Sequence, residues 1–344
     1  MREKKQKTTE TPSTVLEVQD LKTYFQTEEG EVRAVQGVTF SVPRGKTVAL
    51  VGESGCGKSV TAYSILRLIQ KPGWIAGGRI LLHPKGKATI DVTALNEKSG
   101  SLYQLRGGLA SMIFQEPMTA LSPVHTISDQ ICEAILLHQT VSKEKARETA
   151  LEMLRKVGIP GPEKRLDQYP HEMSGGMRQR AVIAMALACK PALLIADEPT
   201  TALDVTIQAQ IMELLKELQR DLGTAILLIT HDVGVVAQMA HEVAVMYLGR
   251  IVERSDVRTV LKSPRHPYTA ALLHSLPSLS QGGEKLPCIQ GSVPSMAEMP
   301  PGCPFHPRCD HAVKGRCDSG SPPRLDSVGK DHEVACFRVG EIQL

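Results

Sequence analysis

At 344 residues the chain exceeds one average domain, so a large domain with a smaller appendage is expected. Hydrophobic residues at 42% and charged ones at 22% exclude wholesale disorder, and a formal charge of +3 with acids and bases interleaved argues against a nucleic-acid binder. No apolar run approaches the roughly 20 residues that span a bilayer, and the N-terminus lacks a signal-peptide core. The eight cysteines therefore point to metal binding or unpaired thiols in a cytosolic chain more than to a disulfide scaffold.

Residues 1–13 read as a disordered leader, polar and without periodicity. Val15–Val18 and Val38–Val42 alternate like half-buried antiparallel strands, whereas Thr47–Val51 is a continuous apolar run of the kind buried in parallel sheets. Gly52-Glu53-Ser54-Gly55-Cys56-Gly57-Lys58-Ser59 follows that strand and opens a predicted helix at Val60–Ile69. In this strand–loop–helix setting the glycines let backbone N–H groups face phosphate oxygens, aided by the helix dipole. Lys58 would reach the β and γ phosphates and Ser59 a Mg²⁺ ion. Cys56, at a helix N-terminus, is expected to have a lowered thiol pKa and to be reactive.

A helix is predicted over Ser142–Val157, with Ala146, Ala150, Leu154 and Val157 on one stripe. Leu193–Ala196 is a buried strand ending in Asp197 and Glu198, and acids at the carboxyl end of a parallel strand stand beside the ligand crevice. Asp197 would hold Mg²⁺ and Glu198 would act as general base toward water. A second helix starts at an Asp204 cap and stops at Gly223, and Ala225–Ile229 follows as another strand, giving a doubly wound α/β pattern. Past about residue 262, Pro, Gly, Ser and His become frequent. Cys303, Cys309, Cys317 and Cys336 fall there in a C-x5-C-x7-C-x18-C pattern that could ligate one metal centre.

His171-Glu172-Met173-Ser174-Gly175-Gly176-Met177-Arg178-Gln179 resembles the signature motif of ABC ATPases, with Met173 and Met177 where Leu and Gln are usual. The resemblance implies a P-loop ATPase core with an antiparallel β subdomain and a helical signature subdomain over 14–262, and a small Cys-rich C-terminal domain over 263–344. It implies that Ser174, Gly175 and Gly176 cradle the γ-phosphate bound to a second ATPase subunit, identical or related, in a head-to-tail dimer that Asp204 contacts. It further implies that Gln115 senses Mg²⁺ and water, that His231 contacts the γ-phosphate, and that Tyr24 or Phe25, with Phe25 favoured, stacks on adenine.

Pro117-Met118-Thr119-Ala120-Leu121-Ser122-Pro123, Tyr169-Pro170-His171, Pro264-Arg265-His266-Pro267-Tyr268-Thr269 and Ile289-Gln290-Gly291-Ser292-Val293-Pro294 resemble the oligopeptide, dipeptide and nickel importer branch. That likeness implies an ATPase on the cytoplasmic face of the membrane that powers dipeptide or oligopeptide import. Its implied partners are permease subunits, docked over 116–135, and indirectly an external peptide-binding protein. A nickel importer and a soluble nucleic-acid-coupled ABC ATPase are the alternatives. The same likeness makes a [4Fe–4S] cluster the first expectation for the four cysteines, ahead of zinc and of free or disulfide-linked thiols.

Overall fold

A computed structural model describes residues 13–115, 120–201, 204–275 and 289–344. The predicted leader, except Ser13, lies outside the described residues, as do Pro117, Met118, Thr119 and Cys288.

The two predicted antiparallel strands are longer than expected and pair with each other as β1 (Thr14–Thr27) and β2 (Gly30–Pro43), with Val15, Leu16, Val18 and Leu21 turned into the core. Strand β3 (Thr47–Val51) is buried at every residue, as its unbroken apolar run requires of a strand covered on both faces. Helix α1 (Lys58–Ile65) ends earlier than the predicted Ile69. Arg67 takes a left-handed backbone (φ 55°) and its guanidinium donates to the Val92, Thr93 and Leu95 carbonyls, and these contacts outweigh continued helix. Strands β4 (Gly73–Leu82) and β5 (Ile90–Asp91) complete a four-stranded antiparallel sheet in the order β2-β1-β4-β5.

After β6 (Ala110–Ile113) the chain builds helices α2 (Ile127–His138), α3 (Lys143–Lys156) and α4 (Gly175–Leu187). The predicted α3 stripe is buried at Ala146, Ala150, Leu154 and Val157, and Ser142 caps the helix by accepting from Lys145 N–H. These helices share a core cluster that holds Ile131, Ile135, Met153 and Ile183 and continues to the sheet residues Ile113, Leu194 and Leu228.

The rest of the cassette alternates β7 (Leu193–Asp197), α5 (Val205–Leu222), β8 (Ala225–Thr230), α6 (Val233–Met239), β9 (Glu242–Tyr247) and β10 (Arg250–Asp256). Strands β6, β7, β8, β3 and β9 run parallel, so their carboxyl ends open on one edge. Leu50, Leu227, Leu228 and Ile229 are wholly buried there, each stabilising the fold by about 2 kcal/mol.

The C-terminal region departs from expectation. Beyond α7 (Val257–Lys262) and α8 (Pro267–His274), strands β11 (Asp326–Gly329) and β12 (His332–Val334) do not make a separate Cys-rich domain. They continue the main sheet as β11-β12-β10-β9-β3-β8-β7-β6. Cys303 and Phe305 also join a core cluster with Ala49, Val51, Tyr247 and Tyr268, so the extension borrows the cassette's interior. Few apolar residues of its own suffice because its neighbours supply the rest.

Candidate active site

Four neighbouring parallel strands, β3, β8, β7 and β6, each deliver one predicted feature at the carboxyl end. The 52–59 loop follows β3, His231 follows β8, Glu198 follows β7 and Gln115 lies just past β6. This is the edge at which open α/β sheets hold ligands.

The loop is shaped by close backbone approach. A Cβ on Gly52 would stand 2.2 Å from the Met246 carbonyl oxygen, and one on Gly57, at φ 102°, would stand 2.3 Å from that of Ala34. No other residue fits either position without moving the backbone. Lys58 is buried, and its Nζ donates to the carbonyls of Gly52 (2.8 Å) and Glu53 (2.9 Å), spanning the loop from within.

Asp197 is wholly buried. Ser59 Oγ donates to its Oδ1 at 3.2 Å, while Oδ2 is buried with no hydrogen-bond partner. Burial, opposed by the Ser59 hydrogen bond, pushes this carboxyl up to about 6. An orphaned carboxylate oxygen beside a hydroxyl is the donor set that suits a hard divalent cation, so the residues present fit Mg²⁺.

Glu198 sits beside it with a left-handed backbone (φ 47°), strain that a non-glycine residue holds only where its surroundings fix it. Three neighbours do so. Thr201 Oγ1 donates to Oε2 at 2.8 Å, Gln115 Nε2 donates to the same oxygen at 3.0 Å, and His231 Nδ1 lies 3.0 Å from Oε1. Burial opposes the charge on Glu198, yet the His231 and Thr201 hydrogen bonds hold its carboxyl below the usual range. A carboxylate kept ionised and aimed by three polar side chains can accept a proton from water. Thr201 was not singled out from sequence; it stands three residues after Glu198, within reach of that side chain.

Family models and relatives place the chain. Residues 35–201 match the ABC transporter model, and residues 252–317 match that of the oligopeptide/dipeptide transporter C-terminal region. A putative peptide import ATP-binding protein of Brucella melitensis is 52% identical over 335 residues, covering 95% of this chain and 98% of that protein. The dipeptide transport ATP-binding protein DppD of Bacillus subtilis is 51% identical over 326 residues, 94% of either chain. The chain belongs to the ABC transporter family. A dimeric bacterial ABC transporter cassette superposes with a TM-score of 0.61 at 26% identity, covering 71% of this chain and 99% of that one. A second structure, of a cassette in a post-hydrolysis state bound to ADP and Pi, matches equally well.

Within the cassette the remaining predicted residues are dispersed. Ser174 caps α4, accepting from Met177 N–H at 3.4 Å, and Gly175 has open space where a Cβ would be. Gly176 packs on Ile207 of α5, where a Cβ would come within 3.3 Å. Among the described residues no hydrogen bond or ion pair joins 174–176 to the 52–59 loop. Gln179, buried in α4, does donate to the carbonyl of Pro199, tying the signature helix to the segment after Glu198. Met177 packs against the helical core, which accounts for an apolar residue at that position.

Asp204 caps α5 by accepting from Ile207 N–H at 2.9 Å and is exposed beside Val205, whose relative exposure is 83%. Phe25 packs where a Gly73 Cβ would otherwise be, 2.5 Å from its ring. Tyr24 lies edge-on to Trp74 with centroids 6.2 Å apart, and Arg33 stands 5.5 Å from its ring. Trp74, exposed and overlooked in the sequence, adds a third aromatic to this edge.

Two expectations are overturned. Cys56 is buried, and that burial, opposed by Lys58, raises its thiol pKa where the helix N-terminus was expected to lower it. The cluster assignment also fails. Cys303, Cys309, Cys317 and Cys336 line one narrow pocket with Phe305 and Phe337, but among the described residues no three His, Cys, Asp or Glu side chains are placed to hold a metal ion. Burial pushes the Cys303 thiol up to about 12 and that of Cys309 up to about 11. All seven described cysteines are free. The expected [4Fe–4S] cluster is therefore not supported by the described residues.

Proposed function

We propose that this chain is the ATP-hydrolysing subunit that powers peptide uptake through a partner permease. The observation that carries the reading is the convergence of Lys58, Ser59, Asp197, Glu198, Gln115 and His231 on one sheet edge. Peptide cargo is favoured over the nickel and nucleic-acid alternatives by relatives named for peptide, dipeptide and oligopeptide transport, and by the matching C-terminal region.

In this reading the 52–59 loop cradles the phosphates through its backbone N–H groups, and Lys58 exchanges its two carbonyl partners for phosphate oxygens. Ser59 and Asp197 hold Mg²⁺, which screens charge on the phosphates. Glu198 accepts the proton of the attacking water, oriented by Gln115, Thr201 and His231. Tyr24 and Phe25, with Trp74 beside them, offer an aromatic edge for adenine.

The site is half of a pair. Ser174, Gly175 and Gly176, standing apart from this chain's own loop, serve the nucleotide of a second ATPase subunit, and exposed Asp204 meets that subunit. Among the described residues no helix is long and apolar enough to cross a membrane, and in this reading the peptide passes through a partner permease. The part of a surface groove lined by Ser128, Asp129, Cys132 and Glu133 supports the reading of 116–135 as the surface on which that partner docks. The chain then works peripherally, at the cytoplasmic face.

The test is uptake of labelled di- and tripeptides into vesicles carrying the reconstituted transporter. ATP-dependent uptake lost with Lys58→Ala supports the reading. Uptake indifferent to that change would overturn it.

A further inference from the structure

Glu53, the second residue of the 52–59 loop, is gripped by the far end of the chain. Arg308, 255 positions away, donates Nη1 to Glu53 Oε2 at 2.7 Å and Nη2 to Oε1 at 3.0 Å. The Tyr268 hydroxyl accepts the Glu53 backbone N–H at 2.9 Å. Lys58 takes the remaining polar group, the carbonyl. Every polar atom of Glu53 is thus held, two of its three groups by the C-terminal extension.

The grip is rigid. The Arg308 side chain is 4% exposed, its Nε donates to the Gln290 carbonyl at 3.1 Å, and its guanidinium lies 6.0 Å from the Tyr247 ring. Tyr247, Tyr268 and Phe305 pack with ring centroids 4.6 to 5.3 Å apart behind the loop. Bidentate guanidinium–carboxylate contacts are directional and charge-assisted, so they fix the carboxylate's position as well as its charge. The same carboxylate without Arg308 would be an unpaired negative charge on a loop meant for anionic phosphates.

We propose that Arg308 is a positioning residue of the nucleotide site, which holds Glu53 back from the phosphates and neutralises it, making the C-terminal extension a working part of ATP binding. This rests on the reading of 52–59 as the phosphate loop. It also accounts for an extension built into the cassette's own core and sheet.

Steady-state hydrolysis by the full chain, with binding of a fluorescent ATP analogue alongside, tests the proposal. Arg308→Ala is expected to raise KM for ATP about tenfold with kcat within about twofold, and Arg308→Lys, which keeps the charge but not the fork, to raise it less. Adding Glu53→Gln to Arg308→Ala should bring KM back to within about twofold of the original, because the unpaired carboxylate is gone; a merely structural role for Arg308 gives no such rescue. An unchanged KM in Arg308→Ala, or in Arg308→Lys should the alanine variant not fold, overturns the proposal, and so does a double variant as impaired as the single one. Lys58→Ala separates the two levels: if it still binds the analogue, the phosphate-loop reading fails, whereas loss of binding there beside an unchanged Arg308→Ala sinks only the role of Arg308.

Discussion

Asp197 holds its charge at a cost, because burial raises its carboxyl from 3.8 to about 6 while one oxygen has no partner. The folded chain therefore binds this proton more tightly than the unfolded chain. Its contribution to stability is present below pH 3.8 and is lost as pH rises through about 6. Asp197→Asn should accordingly stabilise the nucleotide-free protein at pH 8 by about 2 kcal/mol, a gain that vanishes toward pH 4, while Mg²⁺-dependent hydrolysis falls at least a hundredfold. Thermal unfolding at the two pH values checks the first part, and a variant no more stable at pH 8 would show that Asp197 is not strained. Cys56 gives a second expectation at this scale. A buried thiol with a raised pKa should resist iodoacetamide in the folded protein, reacting slower than the half-buried Cys132; faster labelling of Cys56 would contradict its placement. The placement of Lys58, Ser59 and Asp197 at one sheet edge was legible because a glycine-rich loop after one buried strand and acids after another are local patterns. The burial of Cys56 was not, since it depends on a core cluster drawn from residues as far apart in the chain as Val15 and Met246.

Among the elements, the helices kept the ends that local chemistry wrote for them. Asp204 caps α5, and Gly223 closes it at φ 67°. Helix α1 did not, because Arg67 found carbonyls 25 to 28 residues away. The junction of β10 and β12 was equally hidden. Wholly buried Glu253 accepts from the backbone N–H of Arg265 (2.7 Å) and of His266 (3.0 Å), and lies 2.8 Å from His332 Nε2. Glu253→Ala would strand three polar partners, those of His266 and His332 buried, costing about 3 kcal/mol and freeing the C-terminal strands. Urea unfolding measures the cost, and amide exchange at Val334 and Ala335 reports the loosening; protection equal to that of the unmodified chain would show that strand pairing alone holds the extension.

For the whole molecule, the proposed function makes ATP turnover depend on a second subunit and gives Glu198 the step that ends their association. Glu198→Gln keeps the contacts with Thr201 and His231 possible but cannot take a proton from water. Turnover should fall by about 10² to 10⁴ while ATP accumulates a dimer visible by light scattering. Near-normal turnover would remove Glu198 from the base role.

The sequence by itself determined the ATPase activity, the strand and helix alternation around the phosphate loop and the two acids, and the family, because phosphate loops, buried strands and helix caps are local patterns whose physics acts within a few residues. It misjudged the tail for the converse reason. Four cysteines in a Pro- and Gly-rich stretch look like a segment that needs a metal, when the constraint is an aromatic cluster, the Glu253 junction and two added strands, all contributed by residues far away in the chain. Only the tertiary structure decided that Arg308 reaches Glu53, since a contact between residues so far apart in sequence leaves no periodicity or spacing to read.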